Sequence, residues 1–580
     1  MNVARVFWPA VACVAAVVGT LEVHSALGET QTWDEGIHIS AGYAYLARGD
    51  YRWNIEHPPL VKLISALPLT GLHLFGLKLD VPPPVFAGKR PDQVQFGIDF
   101  LYHNQVHADS ILIAARSPNI LLTLLFAVAL AWWTGRRFGP AAGLLAVALC
   151  AFDPNLMAHG RYVTTDFPVT VFYFFACVLW VEYLERGTFR SLLPAAFAFT
   201  LAMVTKFSAV LLIPTLTLLY AARWAQRPRE FPMRRLGIAA GTPLAMLLAA
   251  AILVYWPETV RCFTTDVPRL ADVVNRDNFV GNALWYLGDT LDLPAHGFLT
   301  GLNAVAEHNA GGHPSYLMGL RSDKGWWYYF PVVYAVKSTM AALAATALLL
   351  LAGIWRTVRG DFRGDFRKMP IMAIGLILAP VLYFAVSMSS GINIGMRHIL
   401  PVYPFLYVGL AAMLSAPRFL RAAAPMALAL AVLQIAECAS IAPDYLAFFN
   451  AFAGGPGNGP LYLADSNIDW GQDVKKLLQW LEAHGTRRAR VFYFGNAPLR
   501  YYGVDELGYP GPRDQKGWDE IDDYCVASVT PLMGNYVPLE ALAQLRLREP
   551  IAKIGWSMYV YDLRKPKVGQ ASRPVAPKTR

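Results

Sequence analysis

Eleven apolar runs of about twenty residues punctuate this chain, and no other feature restricts its fold as strongly. About twenty apolar residues in a helix cross a hydrocarbon core of roughly 30 Å, and backbone in lipid must satisfy its own hydrogen bonds. A bundle of membrane-spanning helices is therefore expected. The runs lie at about 7–21, 111–134, 141–157, 167–184, 191–205, 209–224, 236–256, 326–355, 370–389, 401–416 and 424–442. Of the 580 residues, 55% are apolar and only 16% are charged, where a soluble domain carries roughly a quarter. The first run has no convincing small-residue cleavage site before Asp34, so it reads as a first span and not a leader. The six cysteines (Cys13, Cys150, Cys177, Cys262, Cys438, Cys525) show no CxxC pairing, and four lie in or beside apolar runs. They read as packing residues and imply no disulfide framework.

Basic residues set the expected orientation. With the N-terminus inside, the inner loops at Arg5, Arg136–Arg137, Arg186–Arg190, Arg223–Arg235, Arg356–Lys368 and Arg418–Arg421 hold seventeen lysines and arginines. The short outer loops hold three, Arg161, Lys206 and Arg397. Such asymmetry is the positive-inside bias of membrane proteins, and it accounts for most of the +9 net charge without nucleic acid. Each outer cation sits at the membrane boundary, where an unpaired charge is costly, so each is a functional candidate.

The chain divides into a membrane domain, 1–442, with long outer loops at 28–110 and 257–325, then an extracytoplasmic α/β domain, 443–564. A Pro- and Lys-rich tail, 565–580, is expected to be disordered. Within the α/β domain, Val474, Leu477, Leu478 and Leu481 predict a helix over Asp465–His484. Apolar stretches predict strands at Arg490–Phe494, Tyr524–Val529 and Ile554–Tyr561. No repeat of fixed period is present.

Four constellations could carry chemistry. Trp33-Asp34-Glu35 opens a helical segment outside the first span; its carboxylates either favour the helix dipole or act as a general base or a binder of sugar hydroxyls. In Asn54-Ile55-Glu56-His57-Pro58-Pro59-Leu60, paired prolines fix an extended turn that aims Glu56 and His57, or simply stiffens a solvated loop. Asp153-Pro154-Asn155, His159, Arg161 and Thr164-Thr165-Asp166-Phe167-Pro168 sit at the outer ends of adjacent helices. They form either a site or a structural ion-pair network. Lys206 in Val204–Ser208, with Arg397 and His398 in Gly391–Pro401, places cations beside the outer leaflet. A phosphate there would accept charge-assisted hydrogen bonds, whereas snorkelling to lipid headgroups is the plainer reading. His103 and His107 are four apart but lack a matching carboxylate, and read as interfacial histidines.

Taken in order, these segments resemble the dolichyl-phosphate-mannose protein mannosyltransferase superfamily (glycosyltransferase family 39), in a bacterial branch related to lipid A aminoarabinose transferases. The likeness runs from Trp33 to about Phe405 and rests on the order of the motifs. Asp34-Glu35 matches the acidic pair of the first outer loop, and Glu56-His57-Pro58-Pro59 resembles the Glu-Lys/His-Pro-Pro element. Arg116 matches an arginine opening the second helix, while Arg161 and Asp166 match the second acidic element. Val204-Thr205-Lys206 and Arg397-His398 with Pro401 match two later steps. The phrase Asp465-Ser466-Asn467-Ile468-Asp469-Trp470-Gly471-Gln472-Asp473 looks like one from a bacterial branch of the group. One departure is His57, where the aminoarabinose enzymes have lysine; a histidine carries full charge only below a pKa near 6.5.

The resemblance implies a C-type glycosyltransferase fold and an inverting transfer of sugar from a polyprenyl phosphate to a protein, lipid or glycan acceptor at the outer face. It implies Asp34 or Asp166 as catalytic base, and Glu35, Glu56, His57, Arg116, Arg161, Lys206, Arg397 and His398 as substrate-binding residues. No cofactor or essential metal is expected; a divalent ion, if used, would sit at Glu56, His57 or the His308–His313 loop. The expected partners are a polyprenyl-phosphate-linked sugar, an acceptor and the lipid bilayer, in a bacterial inner membrane with the C-terminal domain outside. The alternatives are a transporter or a non-catalytic envelope scaffold. Transporters tend to place ionisable residues at the bilayer midplane, often between repeated halves; here the acids cluster in outer loops.

Overall fold

Each apolar run is helical over most of its length in the computed structural model. The structure describes residues 3–565 except 73–75, 85, 88–89, 232, 258–270, 272–273, 291–295, 359–366, 368, 417–419, 509–517 and 519. Cys262 and the expected disordered tail beyond Lys565 thus lie outside the described residues, as do Arg359, Arg363, Lys368 and Arg418. The protein is a polytopic α-helical membrane protein. Among the described residues, eight helices are long and apolar enough to cross a bilayer, or nine if one bent pair counts as a span. The runs at 191–205 and 370–389 form shorter apolar helices, Phe189–Met203 and Ile371–Ser387.

Two expected spans are broken. The run at 141–157 becomes α6 (Pro140–Ala151) and α7 (Pro154–Arg161), meeting at 68°. Pro154 cannot continue the ladder, and the Asp153 carboxylate caps the new helix by accepting from the Asn155 and Leu156 amides at 2.8 and 3.2 Å. The run at 326–355 becomes helices Tyr329–Lys337 and Met340–Val358. There the Met340 amide donates to Glu437, 2.9 Å, and the Ala342 amide to the Thr339 hydroxyl, 3.1 Å, which satisfies the second helix start.

The first outer loop is itself helical: α2 (Glu35–Arg48), α3 (Leu60–Gly71) and α4 (Gln93–Tyr102) stand between α1 (Val3–Gly28) and α5 (Ala108–Phe138). Helix α2 meets α3 at Gly42, where an added Cβ would fall 2.1 Å from the Lys62 carbonyl oxygen. Small residues let backbones approach in this way. Helix α8 (Asp166–Arg186) runs through the centre of the bundle, and its Phe174 meets Trp133 and Phe405 edge-on, centroids 5.8 and 5.1 Å apart.

After the last span the chain builds a small mixed sheet. Its strands are β1 (Arg488–Phe492), β2 (Asp505–Leu507), β3 (Tyr524–Ser528), β4 (Ala552–Ile554) and β5 (Met558–Asp562), in the order β2-β1-β3-β5-β4. Strand β1 pairs parallel with β2 and β3, and β5 antiparallel with β3 and β4. The expected strand Ile554–Tyr561 is instead a hairpin, turning at Gly555 and Trp556, both at positive φ. The expected helix Asp465–His484 forms only over Val474–Ala483. Residues 465–473 are irregular because their polar side chains bond elsewhere: Ser466 Oγ donates to the Ile394 carbonyl, 2.7 Å, and Asn467 Nδ2 to Tyr329, 3.1 Å.

Gly42→Val is expected to destabilise the fold by about 1–3 kcal/mol or more, since the Lys62 backbone cannot yield. The thermal midpoint of the purified protein in nanodiscs checks this; an unchanged midpoint would mean that α2 and α3 do not touch there.

Candidate active site

The helix ends that carry Asp34 and Asp166, together with the C-terminal chain, enclose a cavity of about 920 Å³. Asp34 stands at the N-cap of α2, but its side chain makes no capping bond and faces the cavity instead. Asp166 opens α8, Lys206 follows α9 (Phe189–Met203), and Arg397 and His398 lie in the 3₁₀ turn Met396–Val402. All five line the cavity, with Glu56 and His57 from the Pro-Pro turn.

Their charges interlock. Arg397 Nη1 lies 2.6 Å from Asp34 Oδ2 and 3.7 Å from Asp166 Oδ2, and Lys206 Nζ lies 2.5 Å from Asp166 Oδ1. The Arg397 guanidinium also sits 4.4 Å from the Trp470 ring centroid. Asp166 is 2% exposed and held by two cations, whereas Asp34 is 23% exposed and held by one. Both carboxylates line the cavity, and Asp34 is the more open of the two.

Three expected binding residues do not reach the cavity. Glu35 and Arg116 form an ion pair at 2.6 Å, both fully enclosed, and Glu35 also accepts from the Thr32 and Val163 amides. Arg116 donates further to the Ala26 and Thr30 carbonyls, 2.8 and 2.9 Å. Arg161 pairs with Glu29 at 2.7 Å and lies over the Tyr162 ring. Glu35, Arg116 and Arg161, expected as substrate-binding residues, are instead paired within the protein, where they tie the segment that carries Asp34 to α5 and α7. Of the Asp153–Pro168 constellation, Thr165 and Asp166 line the cavity, and Asp153 and Arg161 belong to the structural network.

Sequence reasoning missed His38 and Lys62. His38, one turn beyond Asp34, faces the cavity with its ring 5.1 Å from that of His57. Burial pushes the His38 imidazole down to about 4 and the His57 imidazole well below its ordinary value. Both shifts favour the neutral imidazole. Lys62, fully buried, donates to the Asn54 and His57 carbonyls, 2.7 and 2.8 Å, and holds the turn that presents Glu56. A histidine one helical turn beyond Asp34 and a lysine one turn beyond a Pro-Pro step were the only signals, and both residues sit in apolar sequence that reads as core.

A chain of polar contacts crosses one wall. His308 Nδ1 lies 3.4 Å from Glu56 Oε2, and its Nε2 meets His313 Nδ1 at 3.1 Å. His313 Nε2 meets the Tyr536 hydroxyl at 2.9 Å, and that hydroxyl donates to Asp465 Oδ2 at 2.6 Å. Glu56 raises the His308 pKa, while burial drops His313 to about 4 and lifts Asp465 to about 6. Among the described residues, no group of three or more His, Cys, Asp or Glu gathers as a metal centre would require.

Comparison with known proteins agrees with the motifs. Residues 108–256 match the family described as dolichyl-phosphate-mannose-protein mannosyltransferase. Over that quarter or so of its length the chain resembles this family. Its fold is similar to that of ArnT from Cupriavidus metallidurans bound to undecaprenyl phosphate, with 14% identity, a TM-score of 0.44, and 96% of this chain and 99% of that one covered. The apo state of the same protein gives 15% identity, a TM-score of 0.44 and coverage of 97% and 100%. The protein O-mannosyltransferase Pmt1-Pmt2 complex of S. cerevisiae, bound to the sugar donor, gives 12% identity, a TM-score of 0.49 and coverage of 75% and 90%. The search of curated proteins found no match.

Arg116→Ala leaves the Glu35 carboxylate buried without its partner and is expected to destabilise the protein by about 3–5 kcal/mol. A thermal midpoint within error of wild type would return Arg116 to the binding residues. The histidines give a pH signature. The unfolded chain protonates His38 and His57 near 6.5 while the folded one does not, so the unfolded state binds more protons and stability falls as pH drops from about 6.5 toward 4. His38→Gln should flatten that decline in thermal midpoint; an equally steep decline would place His38 in water.

Proposed function

We propose that the protein is an inverting glycosyltransferase that moves a sugar from a polyprenyl phosphate to an acceptor hydroxyl at the outer face of a bacterial inner membrane. The observation that carries this reading is the convergence of Asp34, Asp166, Lys206 and Arg397 on one cavity at the ends of the spans. The basic ends of α5 and α8, at Arg136, Arg137 and Arg186, point the other way along the bundle. The positive-inside bias makes that the cytoplasmic side. Undecaprenyl or decaprenyl phosphate is the carrier this location suggests, and undecaprenyl phosphate is the lipid bound by the Cupriavidus protein.

The chemistry follows from the placements. Asp34 accepts the proton of the acceptor hydroxyl as its oxygen attacks the anomeric carbon. The bond from that carbon to the phosphate oxygen breaks on the opposite side, and its electron pair leaves with the lipid phosphate. Attack opposite the leaving group inverts the centre. Negative charge grows on the departing phosphate, where Lys206 and Arg397 supply preorganised positive charge. Asp166 holds both cations in place, and neutral His57 and His38 offer hydrogen bonds without charge. The two side-chain cations meet the electrostatic demand, and the reading calls for no metal.

Transfer or donor hydrolysis by membranes containing the wild-type chain, given radiolabelled polyprenyl-phosphate sugars, tests the proposal. Removing a general base typically lowers turnover by about 10²–10⁴-fold. Asp34→Asn should show that loss at unchanged expression. No turnover of any donor in a broad panel would favour transport or scaffolding, and full activity in Asp34→Asn would move the base to Asp166.

A further inference from the structure

The catalytic reading leaves one wall of the cavity unused, the wall built by the chain after Pro443. It comes from a particular place in the small sheet. The chain leaves β1 toward β2 on one side and leaves β3 toward β5 and β4 on the other. Connections that diverge from neighbouring parallel strands open a crevice at their carboxyl ends, the usual ligand position in open α/β sheets. Tyr493 and Phe494 follow β1, Asn535 and Tyr536 follow β3, and all four line the cavity.

The crevice is furnished on two chemistries. Trp33, Phe494 and Tyr536 form a column of parallel rings, with centroids 4.9 Å apart at 19° and then 5.3 Å apart at 6°. That column begins at the residue before Asp34. Beside it, Asn535 is only 3% exposed and its Nδ2 has no partner. Asp465 and Tyr536 both sit at positive φ, 59° and 64°, and are joined through the Tyr536 hydroxyl. Non-glycine residues held there store strain, which tends to persist at binding sites.

We propose that this crevice is an acceptor subsite for a carbohydrate ring, so that the hydroxyl offered to Asp34 belongs to a saccharide. The proposal rests on the glycosyltransferase reading for its link to Asp34. A sugar ring presents an apolar C–H face, which suits the negative face of an aromatic ring. It also presents hydroxyls at its edge, which would pair the Asn535 amide and the Asp465 carboxylate. An extended peptide would be expected at a free sheet edge. The edges here are β2 and β4, and neither lines the cavity. An acyl chain would leave the Asn535 amide buried without a partner.

The test uses the full-length protein in nanodiscs and a diazirine-bearing octyl glucoside, with labelled peptides mapped by mass spectrometry. Label is expected in the peptides holding Phe494 and Asn535–Tyr536. A lost aromatic contact of this kind corresponds to about fivefold weaker binding, so Tyr536→Ala, which removes the exposed end ring of the column, and Asn535→Leu should cut labelling by about that factor, and Tyr536→Phe should retain most of it. Equal labelling by a diazirine-octyl probe without sugar, or labelling unaffected in both variants, would overturn the subsite. Donor hydrolysis by the wild type is read separately. If hydrolysis is absent while sugar-dependent labelling holds, the enzyme reading falls and the saccharide site stands; if hydrolysis is present without such labelling, the enzyme stands and the subsite falls.

Discussion

Charges at the edge of a membrane must find partners, and that requirement organises this protein. Glu35 with Arg116 and Glu29 with Arg161 are withdrawn from water, and Asp166 pairs with Lys206 and Arg397 at the cavity wall. A lone ion in such surroundings costs several kcal/mol, and removing one member of a buried pair leaves that cost unmet. The pairs join helices that are far apart in sequence, so electrostatic satisfaction and helix placement are one problem. What distinguishes the active constellation is incomplete satisfaction. Asp34 keeps a single cation and an open face, while Glu35 and Arg116 beside it are sealed into their own pair.

Asp34 and Glu35 show how local geometry divides two adjacent acids. Consecutive residues at a helix start point in different directions, so one can face the cavity while the next faces α5. Backbone bonds fix the arrangement from the other side. The Trp33 amide donates to the Trp470 carbonyl at 2.9 Å, the Thr30 amide to the Gln472 carbonyl at 2.8 Å, and Asn496 Nδ2 to the Trp33 carbonyl at 3.1 Å. The C-terminal chain thereby holds the segment that presents Asp34. Its irregular stretch 465–473 serves this purpose, because a regular helix there would turn Ser466 and Asn467 away from the turn carrying Arg397.

Much of the membrane architecture was legible because it follows from composition and length alone. The helical segments, the basic helix ends and the acidic loops at the opposite ends all depend on what lipid and water tolerate locally. Asp34, Asp166, Lys206 and Arg397 were legible for the same reason, as charges stranded at a boundary. His38 and Lys62 were not, since a histidine or lysine in an apolar helix looks the same whether it faces a cavity or a sealed core. The two broken spans were half legible: Asp153-Pro154 announced one break, while the break at Ser338–Thr339 depends on Glu437, a hundred residues away.

The sequence by itself determined that this is a polytopic helical membrane protein with a mixed α/β end and a set of outer charges suited to a sugar-phosphate reaction. Hydropathy, helix length and charge asymmetry act residue by residue, so no tertiary contact was needed to read them. The tertiary structure alone decided which charges are spent on each other and which remain open, separating Asp34 from Glu35 and Lys206 from Arg161. It alone brought the ends of β1 and β3 to the cavity wall. Pairing and enclosure depend on distances between segments hundreds of residues apart, and those distances are set by the packing of the whole bundle.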